Sequence, residues 1–390
     1  MKKIIALALT LVMIFALAVP AASADDSFKA GLICLHDENS GYDANFINAF
    51  VAACEATGVE AVIKTNIDDT NEAGRDAALD LADDGCAVVF SDSYGHGQFL
   101  MQAAEECPDV QFTSCTDDHA LVSGIPNFHN AFATIFEGRY LAGVAAGMKL
   151  ADMIANGEIT TEQAKVGYAG AFPYAEVVSG YTSWFLGVRS IVPEVTMDVV
   201  YTGSWLDETL EKEAAEKLIA GGCVLISQHA DSMGAPNACE AAGVPNVSYN
   251  GSTMAACPNT YIISSRIDWQ PYFEYAIKAV MNGENYDTDW TGTTATGSVK
   301  LTELNEGIVP ADTAAKLEEV AAALADGSLK VFDTDTFTVG GEKLESYMAD
   351  VQPDAAYEGD TEAVADGYFH ESEYRSAPYF NVTIDGINIL

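Results

Sequence analysis

Positive charge is scarce in this chain: 18 Lys and Arg stand against 58 Asp and Glu in 390 residues, a formal charge of −40. A surface that acidic repels phosphate backbones and anionic headgroups alike, so nucleic acid is not expected as a partner. Several motifs are missing too. There is no G-x-x-x-x-G-K-[ST], and Gly95-x-Gly97 lacks the third glycine of a dinucleotide fingerprint, which disfavours triphosphate and dinucleotide ligands. No H-E-x-x-H, C-x-x-C, Cys/His cluster of zinc spacing or G-x-S-x-G elbow occurs, so no catalytic residue, metal ligand or cofactor is expected. Beyond the first 24 residues no stretch is apolar enough to span a bilayer.

Those first 24 residues carry Lys2-Lys3, an apolar run from Ile4 to Val19, Pro20, and Ala22-Ser23-Ala24 before Asp25-Asp26. That pattern is a secretory signal with a small-x-small cleavage site. The run is shorter than the roughly 20 residues a span requires, although an uncleaved anchor is the alternative. The first cysteine, Cys34, falls inside an expected strand, so no Cys at the cleavage site is available for a lipid anchor. An exported protein follows, periplasmic or at the outer face of the cell membrane, and a monomer is expected. The eight cysteines (34, 54, 86, 107, 115, 223, 239, 257) all follow the signal, and buried thiols or one or two disulfides are expected of them.

What the chain does have is a globular composition, 49% hydrophobic and 19% charged, and a regular alternation of short apolar runs with amphipathic windows. Strands are expected at Phe28–His36, Val59–Thr65, Ala87–Ser91, Val110–Cys115, Lys165–Ala171, Thr196–Thr202, Cys223–Gln228, Pro245–Tyr249 and Tyr261–Ser265. Between them, Asp43–Thr57 sets Phe46, Ile47, Phe50, Val51 and Cys54 on one helical stripe, and further windows begin at Asn71, Gln98, Thr134, Tyr174, Glu208, Ser232 and Trp269. Such alternation means right-handed parallel crossovers and an α/β fold of doubly wound sheets.

The rhythm restarts at Lys165, after the long window Thr134–Ile154, so two sheets fit better than one. The expected division is an N-terminal lobe of residues 25–131 plus 260–285 and a C-terminal lobe of 132–259 plus 286–335, joined by a multi-strand hinge. Residues 336–390 form an extension packed on the lobes. A helix is expected at Thr313–Ala325 and a hairpin around Gly340-Gly341, and the many aromatics of the tail argue for packing rather than disorder.

In open α/β sheets, ligands bind outside the carboxyl ends of the strands. Those positions hold His36-Asp37, Asp92-Ser93-Tyr94, Asp117, Phe172, Ser204 to Asp207, His229 to Ser232, Asn250 and Arg266 to Trp269. Aromatic faces stack on a flat heterocycle, worth on the order of 1–3 kcal/mol per base, and carboxylates and amides accept from its N–H and hydroxyl groups. Clusters of Arg and Lys, which charged sugars or phosphates would demand, are missing. The same Asp and Asn residues are equally placed to cap the helices that follow, and Phe46 and Trp205 are equally suited to core packing.

The run Glu137-Gly138, then Tyr140-Leu141-Ala142-Gly143-Val144-Ala145-Ala146-Gly147, resembles the hallmark of the basic membrane protein family of ABC-transporter substrate-binding proteins. Tyr201-Thr202-Gly203-Ser204-Trp205-x-Asp207 and Asp43-x-x-Phe46-x-x-Ala49-Phe50 are similar to two further motifs of that family, in the same order, and the resemblance covers roughly residues 28–330. It implies a type I periplasmic-binding fold, a purine nucleoside in the cleft and permease subunits as partners.

By that resemblance Asp37 matches a base-contacting acid, Phe46 and Trp205 the two stacking rings, and Asp117 an acid on the base edge. Asn250 stands where a ribose-binding Asp is usual, and Arg266 lies near a position that often holds a sugar-reaching Lys. Gln228 to Ser232 replace a glycine-rich turn. With Asn250 in place of an acid, a free purine base or another flat ligand such as a flavin is open as well. Tyr94, His229, Asp231 and Trp269 complete the expected ligand-binding set from the strand-end pattern. Hinge closure around the ligand is the expected mechanism, with Phe46 and Trp205 as the sandwich. A ligand-sensing receptor of the same fold is an alternative. An enzyme using His229 beside Asp231 is disfavoured, because no nucleophile motif accompanies them.

Overall fold

The computed structural model describes residues 28–353 and 358–390, so the expected export signal lies outside the described residues. The chain first builds β1 (Lys29–Ile33), α1 (Gly41–Thr57), β2 (Glu60–Lys64), α2 (Ala73–Asp83), β3 (Cys86–Ser91), α3 (Gly97–Glu106), β4 (Gln111–Cys115), the short α4 (Ala120–Ser123) and β5 (Phe128–Ala133). Then α5 (Ile135–Ala155) leads into β6 (Lys165–Gly170), α6 (Ala175–Ile191), β7 (Thr196–Tyr201), α7 (Glu208–Ala220), β8 (Leu225–His229), α8 (Gly234–Ala242), β9 (Asn246–Tyr249) and β10 (Tyr261–Ile267). After α9 (Gln270–Asn282) come β11 (Asp289–Gly292), β12 (Val299–Leu301) and α10 (Thr313–Ala325). The tail adds β13 (Met348–Ala349), β14 (Thr361–Glu362), β15 (Val364–Ala365), β16 (Tyr368–Phe369) and β17 (Ile387–Ile389).

Two large sheets result. The first runs β11-β5-β4-β3-β1-β2 and is wholly parallel; the second runs β12-β10-β9-β8-β6-β7-β17, parallel except where β12 meets β10. Buried strands such as Lys29–Ile33, whose last four residues are enclosed, read as continuous apolar runs because helices cover both faces. On the first sheet, α1 and α9 bury Phe46, Phe50, Tyr272 and Phe273 on one face, while α2 and α3 bury Ala78, Leu81 and Leu100 on the other. Helix α1 starts where the Ser40 hydroxyl accepts from Asp43 N at 3.2 Å and stops at Gly58, whose φ of +71° only glycine takes without strain.

Helices α5 and α6 cross at backbone contact. A methyl group on Gly143 would lie 2.0 Å from the Trp184 carbonyl oxygen, and one on Gly187 2.1 Å from that of Tyr140. The Tyr140 to Gly147 motif is therefore a packing device: its small residues let the two helices share one core with Trp184 and Phe185.

The lobe boundaries differ from the sequence expectation. The strand Tyr261–Ile267, expected in the first lobe, hydrogen-bonds to β9 and β12 in the second sheet, and only the following helix α9 returns to pack on α1. Conversely Asp289–Gly292, expected in the second lobe, pairs with β5 in the first sheet. Alternation shows that a strand precedes a helix but not which sheet each joins; here the chain crosses between the strand and the helix. Crossings occur after Ala133, at Asp268 and Trp269, and between β11 and β12, and they are tied together by Thr134 N to Gly292 O (2.8 Å) and Asp268 N to Ser298 O (2.7 Å).

The tail packs on the second sheet. β17 pairs with β7, and Phe332, Phe369 and Phe380 join the core of α5 and α6, with Phe332 and Phe380 stacked at 4.2 Å. Around Gly340-Gly341 the expected hairpin is reduced to a turn closed by Val339 and Glu342. All eight cysteines are free thiols. Among the described residues no helix is long and apolar enough to cross a membrane.

Phe46 is fully enclosed and stacks on Trp269 at 4.3 Å. Phe46→Ala is expected to lower the unfolding free energy by about 3–5 kcal/mol in urea titrations, through lost burial and the cavity left behind. Glu371 is fully enclosed, accepts from Tyr379 N (3.2 Å) and Phe380 N (2.8 Å), and burial pushes its carboxyl up to about 7. The folded state then holds a proton that the unfolded chain releases above its ordinary value of 4.5. Stability from this group is present below pH 4.5 and is lost as pH rises to 7, by about 3 kcal/mol. Glu371→Gln is expected to abolish that part of the gradient between pH 5 and pH 8; equal gradients in both proteins would exclude it.

Candidate interlobe ligand site

The carboxyl ends of both sheets face one another across a cleft, and the lobes touch there. Gly41 N, in the first turn of α1, donates to the Asp231 carbonyl at 3.3 Å, and Asp231 N donates to Trp205 O at 2.9 Å. Asn45, one turn further, donates to Ile267 O at 2.6 Å and accepts from Arg266 Nη1 at 3.1 Å. These contacts define a closed arrangement.

On the first-lobe side the half-buried Tyr42, in the first turn of α1, packs on Phe46 at 5.0 Å. Its hydroxyl donates to Asp92 O at 2.6 Å, and Asp231 and Glu176 of the opposite lobe lie close enough to act on it electrostatically. Beneath it Asp43 and Asp92 form a buried carboxyl pair. Burial works to raise Asp43, but hydrogen bonds from His36 and Ser40 outweigh it and hold it below the usual range; burial and the Asp43 charge drive Asp92 well above it. Of the two, Asp92 is the more readily protonated.

On the second-lobe side the wall is aromatic. Trp205 meets the Phe172 ring edge-on at 5.4 Å, Tyr174 at 6.2 Å and His229 at 6.3 Å, and His229 meets Tyr249 at 4.7 Å. His229 is 2% exposed, and burial, reinforced by the Arg139 charge, pushes its imidazole down to about 4. It is neutral at pH 7, so its 3.4 Å contact from Nε2 to Glu176 is a long hydrogen bond and not an ion pair. Arg139 is fully buried behind this wall, donates to Gln228 O at 3.0 Å and lies 3.3 Å over the Tyr249 ring. Asp231 keeps partial contact with the cleft but is ringed by protein. Burial, with Glu211, Asp43 and Glu176 nearby, raises its carboxyl well above the usual range, while Asn250 Nδ2 donates to its Oδ1 at 3.1 Å.

One end of the cleft opens into a cavity of about 490 Å³ between α1 and the second lobe, lined by Asn45, Asn48, Asn250, Ser252, Arg266 and Asp268 among others. Asn250 reaches it from a left-handed backbone, φ +65°, a conformation that asparagine tolerates.

Of the residues expected from sequence, Trp205, His229, Asp231, Asn250 and Arg266 converge on this cleft. Phe46 and Trp269 do not: both lie in the first-lobe core, stacked on each other, because the helical stripe that holds Phe46 faces the sheet. Asp37 stays in an exposed turn and accepts from Asn39 N (3.0 Å) and Asn39 Nδ2 (2.8 Å), capping its own loop. Asp117 is buried against His119 and Asn130, at 2.8 and 3.2 Å, in a space that exists because residue 97 is glycine. Tyr94 is exposed and donates to Asp118 at 3.2 Å.

Tyr42 and Glu176 lie beside the residues that converge on the cleft and were not among those expected from sequence. Each sits in the first helical turn after a strand end, so the signal was available a few residues beyond the positions considered. Two side-chain groups could bring three metal-ligating atoms together: Cys34, Asp43 and Asp92, and Asp117, Asp118 and His119. In the first, Asp43 accepts from His36 N at 2.7 Å and Asp92 from Leu35 N at 3.0 Å; in the second, Asp118 is paired with Arg375 at 2.9 Å.

Comparisons with known proteins agree with this architecture. A purine-binding protein of Brucella abortus is 29% identical over 337 residues, covering 83% of this chain and 91% of that protein. A Haloferax volcanii protein provisionally named an ABC transporter glucose-binding protein is 32% identical over 206 residues, 53% of this chain and 49% of the other. In structure, a solute-binding protein of an ABC transporter system from Conexibacter woesei superposes with a TM-score of 0.64 at 21% identity, covering 78% of this chain and 98% of that one, which establishes the type I periplasmic-binding fold. Residues 36–328 match the family described as ABC transporter substrate-binding protein PnrA-like, a family of solute carriers rather than enzymes. The chain belongs to that family and is a substrate-binding protein of an ABC transporter.

Proposed function

We propose that this protein is exported, works as a monomer, and delivers a flat nitrogen heterocycle, a purine base or nucleoside, to the permease subunits of an ABC importer. The observation that carries the reading is the aromatic wall of Phe172, Tyr174 and Trp205 beside a cleft closed by Gly41 and Asp231, with Tyr42 of the first lobe within electrostatic reach of Glu176 and Asp231. A ring inserted there meets aromatic faces contributed by both lobes, with the acceptors Glu176, Asp231 and Asn250 around its edge. Only the closed arrangement assembles both faces, so the ligand favours closure by its differential contacts. The ligand leaves chemically unchanged. The Brucella relative named as purine-binding supports the choice of heterocycle. The amide-lined cavity beside Arg266 suits the hydroxyls of an attached ribose, which favours a nucleoside over the free base.

Calorimetry against adenine, adenosine, guanosine, riboflavin and glucose tests this reading. A purine compound is expected to bind at micromolar affinity or tighter, about −8 kcal/mol. Trp205→Ala and Tyr42→Ala are each expected to weaken it at least tenfold, about 1.4 kcal/mol, with unfolding temperatures near wild type. Tight binding of glucose alone, indifferent to both substitutions, would replace the heterocycle with a sugar.

A further inference from the structure

Residues 369–380 belong by packing to the second lobe yet end on the first. Phe369, Tyr379 and Phe380 lie in the core of α5 and α6, and β17 beyond them is a strand of the second sheet. From that anchorage Arg375 reaches Asp118, which follows β4 of the first sheet. Its Nη1 lies 2.9 Å from Asp118 Oδ2, and the two side chains are only 7% and 9% exposed. The guanidinium also donates to the carbonyls of Val351 (2.9 Å), Ala377 (3.2 Å) and Pro378 (3.2 Å), all in the tail, so the tail itself fixes its position. The next residue repeats the bridge: Ser376 N donates to Asp289 Oδ2 at 2.7 Å, and its hydroxyl donates to Asp289 Oδ1, both on β11 of the first sheet.

These contacts involve none of the three crossing segments and none of the cleft residues, and Arg375 lies beyond the residues matched by the family. They tie the lobes together independently of hinge and ligand. Opening the cleft by rotation about the hinge would carry Asp118 and Asp289 away from a segment rooted in the other lobe. A shielded ion pair resists that motion, because parting it strands a poorly solvated charge on each side.

We propose that residues 369–380 act as an interlobe strap that holds the protein predominantly closed before ligand arrives. Ligand then needs less differential affinity to complete closure, since the competent state is already the populated one. The identity of the ligand does not enter.

Small-angle X-ray scattering on the purified, ligand-free chain tests the strap. The wild type is expected to scatter as the closed structure does, whereas Arg375→Met and the near-isosteric Asp118→Asn are expected to shift to a larger radius of gyration with unchanged circular dichroism. Profiles of folded variants that superpose on wild type overturn the proposal, as does a wild type that is already open. Should both substitutions unfold the protein, Ser376→Gly, which removes only the hydroxyl contact to Asp289, decides by the same measurement.

Discussion

The backbone contact between α5 and α6 is the constraint on which the rest of the molecule depends. Because Gly143 and Gly187 carry no side chain, the two helices approach until a methyl group would collide with a carbonyl oxygen. That closeness seats α5, which enters straight from β5 of the first sheet, deep in the core of the second lobe. Its first turn then brings Arg139 under Tyr249 and Gln228, behind the aromatic wall, and the far side of the same core receives Phe332, Phe369 and Phe380 of the tail. Hinge, cleft floor and C-terminal segment are thus registered against one helix pair.

The cleft itself is an electrostatic arrangement as much as a shape. Carboxyl groups from both lobes crowd it, and burial together with their mutual repulsion raises Asp92 and Asp231 well above the usual carboxylate range. The imidazole between the aromatic rings is kept neutral by burial beside the Arg139 cation. The cleft is therefore lined by π-faces, amides and carboxyl oxygens, with Arg266 at the cavity end.

How much of this was legible in the sequence follows from the kind of signal each residue leaves. The strand-end rule placed Trp205, His229, Asp231, Asn250 and Arg266 at the interlobe cleft, because a loop that follows a buried strand has little freedom over where it emerges. It failed for Phe46 and Trp269, since an aromatic at helical spacing reads the same whether its face meets the sheet or the solvent. Asp37 and Asp117 were equally ambiguous: a short acid after a strand is as well suited to capping a turn as to meeting a ligand, and both accept from the backbone N–H two residues on. Tyr42 precedes Phe46 by one helical turn and packs on it at 5.0 Å, so the same stripe continues from core to cleft.

Local pattern by itself determined the alternation of strands and helices, the doubling of the sheet, the glycine-bearing helix that marks the family and the acidity that excludes polyanions. These follow from nearest-neighbour chemistry, in which burial and backbone geometry act over a few residues. Only the tertiary structure decided that β10 and β11 exchange the sheets expected of them, that Phe46 stacks on Trp269 in the first-lobe core, and that Arg375 meets Asp118. Each of those rests on segments far apart in the chain meeting in space, and such pairings are set by the summed packing of whole sheets, which no local window contains.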